Sequence, residues 1–518
     1  MVPQDAESTA PVLIELQEIT RRFPGLLAND RVSLSVREQE IHALVGENGA
    51  GKTTLMNVLY GLCQPDGGRL LWRGRPVVIR GPGAALRLGI GMVHQHFMLF
   101  PPFTVLENVI LGAEPARTGV VALREARAHV AGLADQYGFD LDLDARVEAL
   151  SVGEQQRVEI LKVLYRGAQL LILDEPTAVL GPQEVRALFR NLRRLRDQGR
   201  TIIFISHKLD EVLGIADRIT VLRRGRVIGT VQAAAARPPM LAEMMVGRPV
   251  LMHVPRSPAM PGAARLEVAG LSVSGAGGRL RVREVSFSVR AGEIYAIAGV
   301  QGNGQTELVE SIVGLRPSAA GRILLAGQDV TALSVAARRA AGMAYIPEDR
   351  HRLGLVLAMS ARENLILGHH RRDAFPGGPL LDDRAVDRFA AECCREYDIR
   401  VAGPGTPALA LSGGNQQRLV IAREFAFTPT ILIAAQPTRG LDVGATEFVY
   451  RRLHQIKDRG LAVLLVSVDL EEALALADRI AVLYNGRIAG EFRRGEADAA
   501  TLGLYMAGGG PQAGRAVP

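Results

Sequence analysis

The chain has 518 residues, 48% of them hydrophobic and 22% charged, which is enough apolar material for two ordinary cores. Its net charge of +7 is mild for that length and comes almost wholly from arginine, since only four lysines occur: Lys52, Lys162, Lys208 and Lys457. Three cysteines, Cys63 and the adjacent Cys393 and Cys394, exclude a disulfide framework and a zinc-type spacing, and no apolar run approaches the ~20 residues of a membrane span. The opening MVPQDAESTAP carries acids and no basic, apolar leader pattern, so a reducing aqueous compartment is expected, with any membrane crossing left to another chain. A scattered arginine surface of this kind is a solvated face, and no nucleic-acid partner is expected.

Along the chain, Phe23 is the first candidate, in an irregular Arg-Arg-Phe-Pro-Gly stretch. An aromatic there could stack on adenine or anchor the first sheet as a buried residue. Next, Ile41 to Val45 reads as a buried strand, followed by Gly46-Glu47-Asn48-Gly49-Ala50-Gly51-Lys52-Thr53-Thr54 and a helix expected over Thr53 to Leu62, with Leu55, Val58, Leu59 and Leu62 apolar. Strand, glycine loop and helix in that order form a phosphate-binding loop. The glycines let backbone N–H groups turn inward around an anion, and the helix N-terminus adds its positive dipole end. Lys52 would reach the β- and γ-phosphates, and the Thr53 hydroxyl would hold Mg²⁺. A strand over Gly91 to Gln95 presents Gln95 at its end. The stretch His96-Phe97-Met98-Leu99-Phe100-Pro101-Pro102-Phe103 then holds three of the fourteen phenylalanines. Either these fill the core of a helical insert or they line a groove for a partner helix, and composition alone favours the core.

Leu150-Ser151-Val152-Gly153-Glu154-Gln155-Gln156 opens a helix running to Tyr165, with Ser151 suited to the N-cap. Leu170 to Asp174 reads as a buried strand that Pro176 stops, so Asp174 and Glu175 project from its C-terminal edge, where open α/β sheets bind ligands. Asp174 could hold Mg²⁺ through water, and Glu175 could polarise an attacking water. A further strand, Thr201 to Ser206, ends at His207, placed to touch a γ-phosphate. The chain then repeats itself. Val32-Ser33-Leu34-Ser35-Val36 returns as Val285-Ser286-Phe287-Ser288-Val289, and Ala216-Asp217-Arg218-Ile219 as Ala477-Asp478-Arg479-Ile480. Such a long period is a domain duplication. Domains are expected over 11–250 and 265–508, with a Pro-rich linker at 251–264, a disordered tail at 509–518, and an insertion in the second copy near His369 to Pro379.

On these motifs both halves of the chain resemble the ATP-binding-cassette ATPases. The resemblance implies two tandem P-loop NTPase domains of α/β class, each a RecA-like α/β core with an antiparallel β subdomain and a helical subdomain. It implies ATP and Mg²⁺ as cofactors, with Thr53, Gln95 and Asp174 around the metal and Lys52, Glu175 and His207 as catalytic groups. In that family two cassettes face head to tail, so Ser412, Gly413, Gly414, Gln416 and Asp442 of the second copy would complete the nucleotide site of the first. Twin cassettes in one chain look like the ATPase of simple-sugar and nucleoside importers, with the nucleoside branch favoured by His94-Gln95-His96-Phe97-Met98-Leu99, Gly302-Asn303-Gly304-Gln305-Thr306-Glu307 and Ala434-Ala435-Gln436-Pro437-Thr438-Arg439-Gly440-Leu441-Asp442. That implies two transmembrane permease subunits docked near Phe97–Phe103 and Leu353–Leu367, an extracytoplasmic substrate-binding protein, and a peripheral place on the cytoplasmic face of the membrane.

The second copy departs from the chemistry. Gln305 stands for Lys52, Glu348 for Gln95, Ala435 and Gln436 for Asp174 and Glu175, and Val468 for His207, yet its signature Leu411-Ser412-Gly413-Gly414-Asn415-Gln416-Gln417 keeps the usual form. The first copy has the catalytic groups but Val152 in its signature and Gly181 where Asp442 sits. Under head-to-tail pairing the intact parts fall into one hydrolytic site. A cytosolic twin-cassette translation factor is the alternative, opposed by the short Pro-rich linker and the missing acids. A DNA-repair cassette ATPase is opposed by the absence of zinc-type cysteine pairs.

Overall fold

The computed structural model describes residues 10–24, 26–95, 97–117, 120–177, 180–249, 261–275, 277–369, 381–403 and 405–509. The insertion anticipated around 369–379, the linker up to residue 260, the tail beyond 509 and His96 lie almost wholly outside them. The chain parts into two compact units, residues 1–250 with 442–444 and residues 251–441 with 445–518.

In the first unit a six-stranded sheet runs in the order Arg226–Gln232, Arg218–Arg223, Ile41–Val45, Thr201–Ile205, Leu170–Asp174, Ile90–Val93. Its first pair is antiparallel and all others are parallel. The central strands are buried along their whole length, which explains why they read as unbroken apolar runs. Alternate side chains serve opposite faces: Leu171, Leu173, Ile202 and Phe204 pack on one side, and Leu170, Ile172, Ile203 and Ile205 on the other. The second face meets a four-stranded antiparallel sheet, ordered Leu26–Arg37, Val12–Phe23, Gly67–Trp72, Arg75–Val77, through Ile14, Leu16 and Val36. The first face continues into helices Val105–Ile110, Leu123–Tyr137 and Val152–Tyr165, joined by Val109, Val130 and Ile160.

The helix after the glycine loop is Lys52–Leu59, shorter than the sequence implied. Leu55, Val58 and Leu59 are buried, whereas Leu62 lies beyond the helix end and is exposed. The second unit repeats the plan. Its six-stranded sheet runs Met343–Ile346, Ile431–Ala435, Ala462–Ser467, Ile294–Ala298, Arg479–Tyr484, Arg487–Arg493, beside a four-stranded antiparallel sheet that begins at Ala264. Among the described residues no helix is long and apolar enough to cross a membrane.

Candidate active site

Four adjacent parallel strands of the first unit end on the same edge, and each delivers part of one cluster. The glycine loop follows Val45, Gln95 lies two residues past Val93, Asp174 and Glu175 stand at the end of their strand, and His207 stands just past Ile205. This is the carboxyl edge at which open α/β sheets bind ligands.

The loop is shaped by its glycines. A Cβ on Gly46 would lie 2.3 Å from the Leu222 carbonyl oxygen. One on Gly51, whose φ of 100° is left-handed, would lie 2.3 Å from the Ala28 carbonyl oxygen. No other residue fits either place. Inside the loop the Lys52 ammonium donates to the carbonyls of Gly46 at 2.7 Å and Glu47 at 3.0 Å. It is nearly buried, so desolvation pulls its pKa down while the Glu175 and Asp174 carboxylates push it up; desolvation prevails. Thr53 and Gly49 are exposed, Glu47, Asn48 and Thr54 half-buried, and Ala50 buried. A concave loop with a cation at its centre and a helix N-terminus at its rim fits a polyphosphate.

Beside it, the Thr53 hydroxyl donates to an Asp174 oxygen at 3.3 Å. Asp174 is buried, and desolvation together with the Glu175 charge raises its pKa despite Thr53 and Lys52. A hydroxyl and a carboxylate so paired, with the exposed Gln95 amide nearby on the same edge, are oxygen donors suited to Mg²⁺. Glu175 is different. Burial pushes its pKa up, but hydrogen bonding and charge from His207, with Lys52 and Lys208, prevail and hold it below the usual value. His207 Nδ1 lies 2.9 Å from one Glu175 oxygen, and Gln95 Nε2 donates to the other at 3.3 Å. Glu175 also has a left-handed φ of 48°, an uncommon conformation for a non-glycine residue, fixed because its N–H continues the sheet to Ile205 O at 3.0 Å.

Phe23, at the end of its strand, is 40% exposed with the Arg21 guanidinium 4.9 Å from its ring centroid, which disposes of the buried-anchor alternative. The Phe97–Phe103 segment likewise is not core filler. Leu99 packs against the core, but Met98, Phe100 and Phe103 are exposed. The buried Asn108 clamps this segment from behind, accepting from Phe100 N at 2.8 Å and donating to Phe100 O at 3.1 Å, so the backbone is held and the rings face outward.

The second unit keeps the backbone and loses the groups. Gln305 is buried in the Lys52 position, its amide donating to Val300 O at 2.9 Å. The Thr306 hydroxyl donates to Glu348 at 3.5 Å, and Glu348 is paired with Arg439. Gln436 repeats the left-handed conformation, with φ 45°. Ser412 caps the helix Gly413–Phe425 and is exposed, its Oγ accepting from the Asn415 side chain at 3.1 Å, while Gly413 and Gly414 form the first turn. Gln416 is buried with its amide already engaged, donating to Ala408 O at 3.0 Å and lying 2.8 Å from His351 Nε2, so it anchors the helix and is not presented to a ligand. Asp442 directly precedes the helix Val443–Asp458.

Sequence reasoning passed over Asn29, a fully buried strand residue whose amide donates to Gly51 O at 3.1 Å and so fixes the glycine loop from below. An asparagine inside an otherwise alternating apolar strand was its only signal.

Comparison with known proteins agrees with this geometry. The family model described as ABC transporter matches twice, over residues 29–178 and 282–439. The nucleoside import ATP-binding protein NupA of Lactococcus lactis subsp. cremoris is 46% identical over 497 residues, 96% of this chain and 98% of that one. The guanosine import ATP-binding protein NupO of Bacillus subtilis is 47% identical over 96% of this chain and 97% of that one. The glucose import ATP-binding protein TsgD13 of Haloferax volcanii is 43% identical, covering 97% of each. A cradle for polyphosphate, matched along two whole cassettes, makes this chain a member of the ABC transporter family, an ATP-binding ATPase with two cassettes.

Proposed function

We propose that this chain is the ATP-hydrolysing subunit of an importer, coupling ATP binding and hydrolysis to uptake of a nucleoside or simple sugar through separate permease subunits. The observation that carries the reading is the Glu175–His207–Gln95 cluster beside Lys52 in the first unit, set against Gln436, Val468, Glu348 and Gln305 in the second. One unit is equipped for hydrolysis and the other is not. The nucleoside branch is preferred because NupA and NupO, at 46% and 47% identity, carry nucleoside and guanosine in their names.

In the hydrolytic site, Lys52 and the loop N–H groups hold the β- and γ-phosphates, Glu175 orients and accepts a proton from water, and His207 keeps that carboxylate ionised and contacts the γ-phosphate. Mg²⁺, held by Thr53, Gln95 and Asp174, would offset charge on the phosphate oxygens. Phe23 stacks on the adenine. Under the head-to-tail pairing that the family resemblance implies, Ser412, Gly413, Gly414 and Asp442 would complete such a site, and ATP binding would shift the pair toward a closed state. The exposed Met98, Phe100 and Phe103, and in the second copy Leu353, Val356 and Met359, offer apolar seats for two cytoplasmic helices of permease chains. The chain then sits on the cytoplasmic face of the membrane, with a binding protein outside delivering the substrate.

The test is uptake of radiolabelled guanosine, adenosine, uridine, ribose and glucose by cells in which the gene is deleted and then restored as wild type or as Glu175→Gln. Loss of nucleoside uptake, restored only by wild type, supports the reading. Loss confined to ribose or glucose moves it to the sugar branch, and unchanged uptake of all five refutes it.

A further inference from the structure

The two signature helices differ in what already occupies their N-termini. In the first, the Glu184 carboxylate accepts from Gly153 N at 3.2 Å with one oxygen and from Gly181 N at 2.9 Å with the other. A Cβ on Gly153 would lie only 2.6 Å from the Glu184 Oε1 atom, so a side chain there would have to displace the carboxylate. A second carboxylate, Glu154, accepts from Ser151 N at 2.8 Å in a capping box. The corresponding positions of the second signature carry no acid. Asn415 stands for Glu154, and Ala445 stands for Glu184, its methyl 3.4 Å from where a Cβ on Gly414 would be. A cation is near instead: Arg350 Nη2 lies 2.9 Å from the Cβ position of Gly413. Its counterpart in the first unit is Phe97.

A helix N-terminus binds an anion through unpaired N–H groups and a positive dipole end. In the first signature one such N–H is taken by the chain's own carboxylate, and a second carboxylate lies within the same turn. An incoming phosphate there meets both a filled donor and like charge. In the second signature it meets an exposed Ser412, an uncharged Asn415 and a guanidinium.

We propose that Glu184 is a built-in phosphate surrogate that shuts the first signature to nucleotide, so that this signature acts as a fixed joint between helices Val152–Tyr165 and Pro182–Asp197. It is a positioning residue that makes the chain asymmetric from the signature side, independently of the lost groups at Gln305, Ala435, Gln436 and Val468. The inference rests on the head-to-tail reading above.

The test uses the full chain in two arms. In a Glu175→Gln background, radiolabelled MgATP is titrated by equilibrium dialysis with and without Glu184→Ala and Glu184→Gln. Glu184→Ala should tighten the weaker class of ATP site about tenfold, the worth of one charge-assisted hydrogen bond, and Glu184→Gln less. In the hydrolysis-competent chain, Ala445→Glu should cut phosphate release at least tenfold and Ala445→Gln clearly less, with both melting near wild type. No tightening on Glu184→Ala overturns the proposal, as do equal losses from Ala445→Glu and Ala445→Gln. Ser412→Arg is run alongside: if it leaves hydrolysis intact, the head-to-tail reading itself has failed.

Discussion

Replacing Glu175 by glutamine tests the chemistry at its centre. The change removes one negative charge and, on the mechanism proposed above, the group that takes a proton from water, while keeping a side chain of the same shape between His207 and Gln95, at 2.9 and 3.3 Å. Asp174 is not placed to take over: its carboxylate is turned to the Thr53 hydroxyl at 3.3 Å, whereas the His207 and Gln95 contacts are made by Glu175. Losing a positioned general base costs ~10²–10⁴ in rate, about 3–5 kcal/mol of barrier. ATP binding should persist, because Lys52 and the loop N–H groups are untouched. Phosphate release is measured in the complex with the proposed permease subunits, together with binding of radiolabelled ATP. The second unit offers no rescue, since Gln436 already occupies the matching place. Residual turnover above about a tenth of wild type, a smaller loss than the ~10²-fold minimum of the general-base argument, would show that the base lies elsewhere.

Three further outcomes follow from the same geometry. Ser412→Arg should abolish hydrolysis while Ser151→Arg spares most of it, beyond the ~1 kcal/mol of stability that losing an N-cap costs; equal losses of phosphate release would refute the pairing. His207→Ala should move the acid limb of the pH–rate profile upward. Burial raises the Glu175 pKa and His207 is the chief group opposing it, so removing the imidazole, with only Lys52 and Lys208 left to counter burial, shifts the pKa upward. An unmoved acid limb would show that the pair is uncoupled. Phe100→Asp should leave melting within about 0.5 kcal/mol of wild type, since Phe100 is 52% exposed, yet abolish co-purification with the permeases, because an unpaired carboxylate in an apolar seat costs several kcal/mol; normal co-purification would place the seat elsewhere.

Much of this site was legible in the sequence because the fold puts its chemistry at strand ends. A buried parallel strand is an unbroken apolar run, and the polar residues within two positions of its end mark the ligand edge, as at Asp174, His207 and Gln95. What could not be read was the direction of irregular segments. Phe97 to Phe103 has the composition of a core, but Asn108 holds its backbone so that Phe100 turns outward, and Asn364 does the same to Val356 in the second copy, at 2.9 and 3.0 Å. Contacts far apart in sequence were equally silent: Asn29 beneath Gly51, and Glu184 on Gly153.

The two copies also separate what the sheet demands from what the chemistry demands. Glu175 and Gln436 share a left-handed backbone, φ 48° and 45°, although only one is a carboxylate. The cause is in the sheet: the N–H of each pairs with the neighbouring strand, Glu175 with Ile205 O at 3.0 Å and Gln436 with Val466 O at 2.7 Å. The strain therefore belongs to the way the strand ends and would be present in a cassette that never hydrolysed anything. Gly51 and Gly304 make the same point for the loop, with φ 100° and 106°. The second unit thus differs from the first by side chains on an intact scaffold, with a glutamine's amide in place of an ammonium and a valine in place of an imidazole. That scaffold still has work to do if the second unit must present Ser412 and a permease seat, and neither task needs Lys52, Glu175 or His207.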